Sequence, residues 1–282
     1  MSFAQPAPFD PHDRSVDVER RFGDMDALGH VNNVRYLDYL TEGRESWLGD
    51  YDVPEDQVRC RAHRIAFAAP MVFARADAEV RTSVVAVDGD EVRLAQVLIT
   101  RRHVGDAPLV HVRSESTLEV ADAASLRELR AYADPARAHE WREVVTTGGP
   151  PRAEQPVTVR SRDLGVTGVA RDDAVMEWFQ EARVRYFMDL HTLGEEWGAV
   201  VVARLDLDLL RDVRRDDAVA VRTWVAHLGR TSFTVNADLV DDTGEVRARA
   251  TAVAVSFDPA TQRPAPLAAA HRARLEQELA DS

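Results

Sequence analysis

The sequence contains no lysine, and all 35 of its basic residues are arginine. Schiff-base chemistry requires an amine that can lose its proton, and the phosphate-binding P-loop requires its lysine. Both kinds of site are therefore excluded. No G-x-G-x-x-G pattern follows a predicted strand, so nothing in the chain favours a dinucleotide-binding fold.

Cysteine is nearly absent, since Cys60 is the only one. A single cysteine excludes an internal disulfide and a zinc site built from several cysteines. Cys60 stands between Arg59 and Arg61, in a stretch that resembles a polar loop. We interpret it as an incidental thiol, with a catalytic cysteine as the alternative.

Long apolar runs are missing too. No segment approaches the roughly 18–20 apolar residues that span a bilayer, so no membrane partner is expected. The stretch Met1–Asp13 has no apolar core flanked by positive charge, as a secretory signal would have. The sequence therefore predicts a cytoplasmic location.

The charge balance is strongly acidic. The net charge is −13, while 45% of the residues are hydrophobic and 29% are charged, as in an ordinary globular protein. An acidic surface repels a phosphate backbone, so nucleic acid is not an expected partner. A length of 282 residues is enough for two domains of ordinary size or for one large domain.

An internal repeat organises the chain. The segment Arg21–Arg44 aligns without gaps on Arg160–Arg183, with agreement of the apolar positions. The identical pairs are Arg21/Arg160, Asp24/Asp163, Gly29/Gly168, Glu42/Glu181 and Arg44/Arg183. We interpret these shared residues as scaffold, namely caps, turns and a helix–sheet ion pair. Glu42 as a second catalytic acid is the alternative.

Each half is predicted to be a short strand, a Gly-containing loop, a long helix and several strands. The first strands are predicted at Val16–Phe22 and Val157–Arg162, and the helices at Asn33–Leu48 and Asp172–Leu190, with Asn33 and Asp172 as N-caps. Residues of alternating polarity in Val112–Val120 and Phe233–Val240 predict antiparallel strands, with hairpin turns at Asp88-Gly89 and Thr243-Gly244. The fold class is therefore α+β, with one long helix covered by one antiparallel sheet in each half.

These elements divide the chain into four predicted regions. The first domain covers residues 1–124 and the second covers residues 155–266. A linker covers residues 125–154, in which Ala123–Trp141 is helix-compatible and Thr146–Pro151 is rich in turn residues. A helical tail, residues 267–282, is predicted to be a surface element.

The motif R-F-x-D-x-D-x-x-G-H-V-N-N-x-x-Y-L-x-Y-x-x-E-x-x-R, at Arg21 onwards, resembles the N-terminal signature of hotdog thioesterases. It is similar to the branch of 4-hydroxybenzoyl-CoA and long-chain acyl-CoA thioesterases. The segments Gly229–Phe233 and Ala254–Pro266 resemble the later strands of that family. The resemblance implies two tandem hotdog domains that pair back to back. Because both copies are on one chain, we expect an intramolecular pseudo-dimer, with homo-oligomers of it possible.

The loop before the first helix carries the candidate chemistry. Thioester hydrolysis needs a base or nucleophile near the carbonyl carbon and a donor for the developing oxyanion. In the family, the Asp at the position of Asp26 has the first role, and a backbone N–H near Asn33 polarises the carbonyl. His30 matches the His of the related acyl-ACP branch, but Leu28 stands where that branch has Asn, which weakens the case for His30. The alternatives are ordinary ones: a loop aspartate bonded to its own backbone, a loop histidine, and a helix cap at Asn32 or Asn33.

The second half lacks this loop chemistry, because Gly165 and Val169 stand at the positions of Asp26 and His30. It has instead Gly229-Arg230-Thr231-Ser232, where the first half reads Gly-Asp-Glu-Val. In family members this segment lines the thioester and CoA side of the site. We therefore predict one composite site per chain, to which the second half contributes Arg230, Thr231 and Ser232, the Arg meeting a CoA phosphate.

Gly29 and the pair Arg101-Arg102 are further candidates for binding the substrate and its carrier. Gly29, in the Gly-containing loop, is predicted to bind the substrate. Arg101-Arg102 is a second basic candidate for the carrier, and a solvated pair is the alternative for it, as a surface hairpin arginine is for Arg230.

The expected function is hydrolysis of an acyl-CoA or acyl-ACP thioester, without a metal or redox cofactor, with a place in fatty acid metabolism. A hotdog hydratase or dehydratase is the enzymatic rival. Those enzymes resemble D-x-N-P-x-H or H-x-x-x-x-P patterns, whereas Asp26 and His30 are one residue too close and the proline is missing. A double hotdog that only binds acyl ligands is the non-enzymatic rival.

Overall fold

Helical periodicity and strand alternation produce the same set of elements twice along the chain. The computed structural model describes residues 13–26, 29–50, 53–73, 77–101, 107–146, 149–191, 198–261 and 263–280. The chain divides into an N-terminal unit, Met1–Trp141, and a C-terminal unit, Arg142–Ser282.

The N-terminal unit is an antiparallel sheet with one long helix. Its strands follow the spatial order β1-β3-β4-β5-β2. The elements in chain order are β1 (Arg14–Val18), α1 (Arg35–Gly49), β2 (Val58–Phe67), β3 (Asp77–Asp88), β4 (Glu91–Arg101), β5 (Leu109–Val120) and α2 (Ala123–Arg130).

The C-terminal unit repeats this arrangement. Its strands follow the order β6-β8-β9-β10-β7, and β11 pairs with β10. The elements are β6 (Ala153–Val157), α3 (Asp172–Leu190), β7 (Ala199–Leu209), β8 (Val219–Leu228), β9 (Ser232–Asp241), β10 (Val246–Asp258), β11 (Arg263–Pro264) and α4 (Ala269–Ala280). The predicted α+β class, with one long helix and one antiparallel sheet in each half, is confirmed. The pairing of the halves as a pseudo-dimer stays a prediction.

In the N-terminal unit, α1 lies directly on the sheet at a glycine. A Cβ added at Gly43 would lie 2.4 Å from Cγ1 of Val80 in β3 and 3.4 Å from Nε2 of Gln96 in β4. Only a residue without a side chain fits at this separation. The aligned residue in the C-terminal unit is Ala182, which is also buried, so the corresponding position of α3 accepts a methyl group.

Several element boundaries differ from the sequence prediction. The first strands end early, at Val18 and Val157, and each is followed by a short 3-10 turn, Phe22–Asp24 or Ser161–Asp163. The first helix begins at Arg35, two residues later than predicted, whereas the second has the predicted bounds. The hairpin turns are confirmed, because Gly89 and Gly244 adopt φ values of +59° and +84°, which favour glycine.

The segments predicted as the linker and the tail each contain a helix. The helix that starts at Ala123 ends at Arg130 rather than near Trp141. Beyond it the chain lies against the sheet of its own unit, where the N–H of Asp134 donates to the carbonyl of Val84 at 3.0 Å. The C-terminal tail is helical, as predicted, and α4 packs on the C-terminal unit with His271 and Leu275 buried. None of the described helices is long and apolar enough to cross a membrane.

Candidate active site

The loop of Asp26 is closed by its own backbone. The Asp26 N–H donates to the His30 carbonyl at 2.7 Å, and the Gly29 N–H donates to the Asp26 carbonyl at 3.1 Å. Gly29 has a φ of +75°, a conformation that favours glycine over residues with side chains. These bonds close the loop that carries Asp26 and precedes α1 in the chain.

The Asp26 carboxylate is oriented by the same turn. Its Oδ1 accepts the backbone N–H of His30 at 3.0 Å, and the side chain is half-buried. The structure thus brings Asp26 and His30 together through the main chain of His30. The His30 imidazole is half-buried and makes no hydrogen bond to another described residue. Leu28, which stands at the position of an Asn in the acyl-ACP branch, lies outside the described residues.

The start of α1 corrects the predicted cap. Asn33 is not the N-cap: Val34 has that position, and Oδ1 of Asn32 accepts the Val34 N–H at 3.0 Å. Within the described chain, the Asn33 N–H donates to no acceptor. Asn33, a half-buried residue, therefore has an unused N–H near the positive end of the helix dipole. In the other half, Arg171 rather than the predicted Asp172 is the N-cap.

Two tyrosines of α1 support this loop, and the sequence alone did not reveal them. Tyr39 donates its hydroxyl proton to Asp24 at 2.5 Å, and the Arg21 N–H donates to the same carboxylate oxygen at 2.7 Å. Burial and the charge of Asp24 raise the pKa of Tyr39. The Asp24 carboxylate thus caps the 3-10 turn, which confirms the scaffold interpretation of that residue.

Tyr36 links the loop to the segment after β2. Its oxygen accepts the Met71 N–H at 2.9 Å, while the Met71 carbonyl accepts the Val31 N–H at 2.8 Å. Burial raises the pKa of Tyr36 to about 12, and the nearby negative charge of Asp26 adds to the rise. The sequence offered one signal for both tyrosines, namely that Val175 and Trp178 replace them in the second copy.

The loop of the C-terminal unit has the same backbone hydrogen bonds, but it has Gly165 and Val169 in place of Asp26 and His30. The Gly165 N–H donates to the Val169 carbonyl at 2.8 Å, the Gly168 N–H donates to the Gly165 carbonyl at 3.0 Å, and Gly168 has a φ of +72°. These bonds correspond one to one with those around Asp26. A Cβ built at Gly165 would have only ordinary contacts, the nearest at 3.6 Å, so the fold does not require glycine there.

The predicted carrier-binding residues form the turn between β8 and β9. The Gly229 N–H donates to the Ser232 carbonyl at 2.8 Å, and Arg230 is exposed while Thr231 and Ser232 are half-buried. Within the described residues, the Arg230 guanidinium has no hydrogen-bond or ion-pair partner. Arg272 of α4 donates to the Gly229 carbonyl at 2.9 Å, a support that the sequence did not reveal.

Two other candidates have structural contacts. Arg101 forms an ion pair with Glu79 of the neighbouring strand β3, and Arg102 lies outside the described residues. Glu42 is exposed on α1, whereas Arg44 is buried and donates to the Thr41 hydroxyl at 3.2 Å. Glu42 and Arg44, two of the five positions that are identical in the repeat, therefore lie on different faces of the helix.

Comparisons with known proteins agree with this architecture. The thioesterase-like superfamily model matches residues 20–146, and the thioesterase superfamily model matches residues 174–248. No curated protein matches the sequence. The two models together match more than two thirds of the chain. The chain therefore belongs to the thioesterase superfamily and carries two of its hotdog domains in tandem.

Two solved structures share the tandem fold, and a third matches less than half of the chain. A 12:0-ACP thioesterase from Umbellularia californica is 12% identical, with a TM-score of 0.67 over 88% of this chain and 99% of that one. A putative oleoyl thioesterase from Lactobacillus plantarum is 9% identical, with a TM-score of 0.69 over 90% and 100%. A thioesterase from Thermus thermophilus, complexed with coenzyme A and Zn, is 34% identical, with a TM-score of 0.40 over 45% and 98%. The protein is a thioesterase, and thioester hydrolysis is its general activity.

Proposed function

We propose that the N-terminal unit hydrolyses acyl thioesters of coenzyme A or acyl carrier protein, with Asp26 as the nucleophile or general base. The carboxylate would attack the thioester carbonyl, or would take a proton from the attacking water, and a carboxylic acid and a free thiol would be released. The observation that carries this proposal is the half-buried Asp26 carboxylate, held by the His30 N–H at 3.0 Å directly before α1.

The helix start supplies the second requirement of the reaction. Hydrolysis builds negative charge on the carbonyl oxygen, and a fixed N–H donor stabilises that charge. The Asn33 N–H suits this role because no described residue accepts its proton. Asn33 therefore acts through its main chain in the proposed mechanism, and its side chain is dispensable.

His30 acts mainly through its main chain as well. Its N–H orients the Asp26 carboxylate, and this bond needs no particular side chain. The imidazole, which lies in the same loop, would assist proton transfer to the leaving thiolate. Replacement by valine, the residue of the second copy, keeps the N–H and is expected to reduce turnover by about tenfold or less, which is below the roughly 10²–10⁴-fold effect of an essential general acid–base group.

Substrate binding is proposed for Gly29 in the Asp26 loop and for the turn of Arg230, Thr231 and Ser232. Arg230 has the charge for a CoA phosphate, and its guanidinium is exposed without a described partner. Thr231 and Ser232 offer hydroxyl groups at a turn that Arg272 and the backbone hold in place. That these residues and Asp26 serve one site stays a prediction.

The test is thiol release by the Asp26→Asn variant on a panel of aromatic, short-chain and long-chain acyl-CoA and acyl-ACP substrates. Asparagine keeps the size of the side chain and can still accept the His30 N–H, but it cannot act as base or carboxylate nucleophile. We expect turnover to fall by about 10³-fold or more, within the range of catalytic acid–base groups. Near-wild-type turnover on every active substrate would show that the assignment is wrong.

The matched control is Gly165→Asp in the C-terminal unit. It adds the same side chain to the equivalent loop, at a position where a Cβ fits. The variant is expected to keep wild-type hydrolysis. Enoyl-CoA hydration is assayed in parallel, since hydration without thiol release would indicate the hydratase chemistry instead.

A further inference from the structure

A second group of reactive side chains lies on the sheet of the N-terminal unit. The sulfur of Cys60 in β2 lies 3.1 Å from Nε2 of His63, and Nδ1 of the same ring lies 2.8 Å from the hydroxyl oxygen of Ser116 in β5. His63 and Ser116 are buried, and Cys60 is half-buried. Cys60 is thus in a strand rather than the polar loop that the sequence suggested.

A β-bulge creates this group. Cys60 pairs with Leu118 and Ala62 pairs with Thr117, so Arg61 is an extra residue in β2. Residues three apart in a regular strand point to opposite faces, but one extra residue reverses the alternation. Cys60 and His63 therefore share a face. Ser116 pairs directly with His63, which explains the contact of its hydroxyl with the ring.

The C-terminal unit has the same bulge with apolar residues around it. Val253 pairs with Arg204 and Ala254 pairs with Val202, so Ala203 is the extra residue in β7. When the two units are aligned on their bulges, Val202, Leu205 and Ala252 stand where Cys60, His63 and Ser116 stand. The fold can therefore form this part of the sheet without polar groups.

A further buried hydroxyl lies beside the group. Ser114 precedes Ser116 by two residues in β5, hence on the same face of the strand, and it is fully buried. Its hydroxyl oxygen has no hydrogen-bond partner among the described residues. A buried polar group without a partner costs free energy. Ser114 therefore adds an unused hydrogen-bonding group to the same face of β5 as Ser116.

The arrangement matches that of an activated nucleophile. A thiol is nucleophilic as its thiolate, and an adjacent imidazole accepts the thiol proton. A third group that holds the other ring nitrogen fixes the orientation of the base. In this unit Cys60 is the thiol, His63 is the base, and Ser116 is the positioning residue.

We propose that Cys60, His63 and Ser116 form a second chemical site in which Cys60 reacts with small disulfides. The Cys60 proton passes to Nε2 of His63, and the sulfur attacks one sulfur of the disulfide. The disulfide bond of the reagent breaks, a new S–S bond to Cys60 forms, and the other half of the reagent leaves as a thiolate. Cys60 is oxidised to a mixed disulfide while half of the reagent is reduced to a thiol.

The test uses the aromatic disulfide 5,5′-dithiobis(2-nitrobenzoate), whose leaving thiolate is coloured. Because Cys60 is the only cysteine, every released thiolate reports this site. The second-order rate constant is measured at pH 6.5 for the native chain and for the chain unfolded in guanidinium chloride. An ordinary thiol is only about 1% ionised at that pH, so we expect the native chain to react roughly tenfold faster or more.

Two variants test the roles of the partners. His63→Gln is expected to reduce the native rate to that of the unfolded chain or below it. If His63→Gln does not fold, Ser116→Ala, which changes the core volume little, is expected to reduce the rate at least about threefold because the ring loses its anchor. A native rate below that of the unfolded chain, or a rate within about twofold of wild type in the folded variants, would overturn the proposal.

This site can be separated from the thioesterase site. Cys60→Ser is expected to abolish the reaction with the disulfide and to leave thioester hydrolysis at the wild-type rate. Asp26→Asn is expected to do the reverse. The disulfide reaction of Cys60 and the hydrolysis by Asp26 are therefore tested independently of each other.

Discussion

The two loops that precede α1 and α3 have one backbone and two different sets of side chains. Each closes with a pair of backbone bonds of 2.7–3.1 Å and with a glycine in the left-handed region. Asp26 and His30 in the first loop are replaced by Gly165 and Val169 in the second. Because the backbone persists where the carboxylate is absent, the loop geometry does not depend on the carboxylate.

The same contrast recurs inside the sheets. The N-terminal unit buries His63, Ser116 and Ser114 in positions of its sheet where the other unit has apolar residues. Because the C-terminal unit forms the same part of its sheet with apolar residues, the fold does not require these polar groups. Asp26 and the group of Cys60, His63 and Ser116 both belong to the N-terminal unit, whereas the predicted carrier-binding residues belong to the C-terminal unit.

Apart from the Asp26 variants, the largest loss of turnover is expected when the N–H of Asn33 is removed. Asn33→Pro removes the N–H, which has no described acceptor, so the substitution breaks no described hydrogen bond. We expect kcat to fall by about 10²–10³-fold, as for the loss of one oxyanion donor. Asn33→Ala keeps the N–H and should retain near-wild-type kcat. Equal losses in both variants would contradict a main-chain role.

A smaller effect is expected where α1 meets its sheet. Glycine to alanine usually stabilises a helix interior, by roughly 0.5–1 kcal/mol. At Gly43 the added methyl would lie 2.4 Å from Val80, so we expect Gly43→Ala to destabilise the chain instead. Overpacking of a core costs about 1–3 kcal/mol. Urea unfolding measures the change, and Ala182→Gly in α3 is the matched substitution, which should cost roughly 1 kcal/mol. A stabilised Gly43→Ala variant would show that the helix can move away.

The smallest expected effect is a change of folding stability with pH. Burial holds the pKa of His111 and that of His139 below the ordinary histidine value, and both residues are in the N-terminal unit. The unfolded chain therefore binds protons more readily than the folded chain, and stability falls as pH drops below about 6.5. We expect the urea midpoint to decrease from pH 7.5 to 5.5, and His111→Gln to make the decrease smaller. The same decrease in both proteins would contradict this assignment.

Much of the fold could be predicted from the sequence because the repeat and the strand alternation carry it. The bounds of α3 were predicted correctly, and the capping role of Asp24 followed from its presence in both copies. The start of α1 was not predicted correctly. Asparagine is a residue type that favours caps, so the sequence favoured Asn33, but the turn at Asn32 displaces the helix start to Arg35. Residue propensities for helix caps do not show which of two neighbouring asparagines forms the turn.

The candidate sites were predictable to different degrees. Asp26 stands in a specific motif and differs from Gly165, so the sequence was enough to single it out. Tyr36, Tyr39 and Arg272 act through contacts distant in sequence, which periodicity does not report. The contact of Cys60 with His63 depends on a bulge, and one extra residue in a strand cannot be recognised from composition.

The central claim is that the carboxylate of one loop, and not the loop itself, performs hydrolysis. The most direct measurement is kcat/KM for thiol release by Asp26→Gly, which gives the first loop the residue of the second. The account predicts a loss of about 10³-fold or more with an unchanged urea midpoint, as for other essential acid–base groups. A kcat/KM within about tenfold of wild type, a smaller loss than the removal of such a group causes, would contradict it.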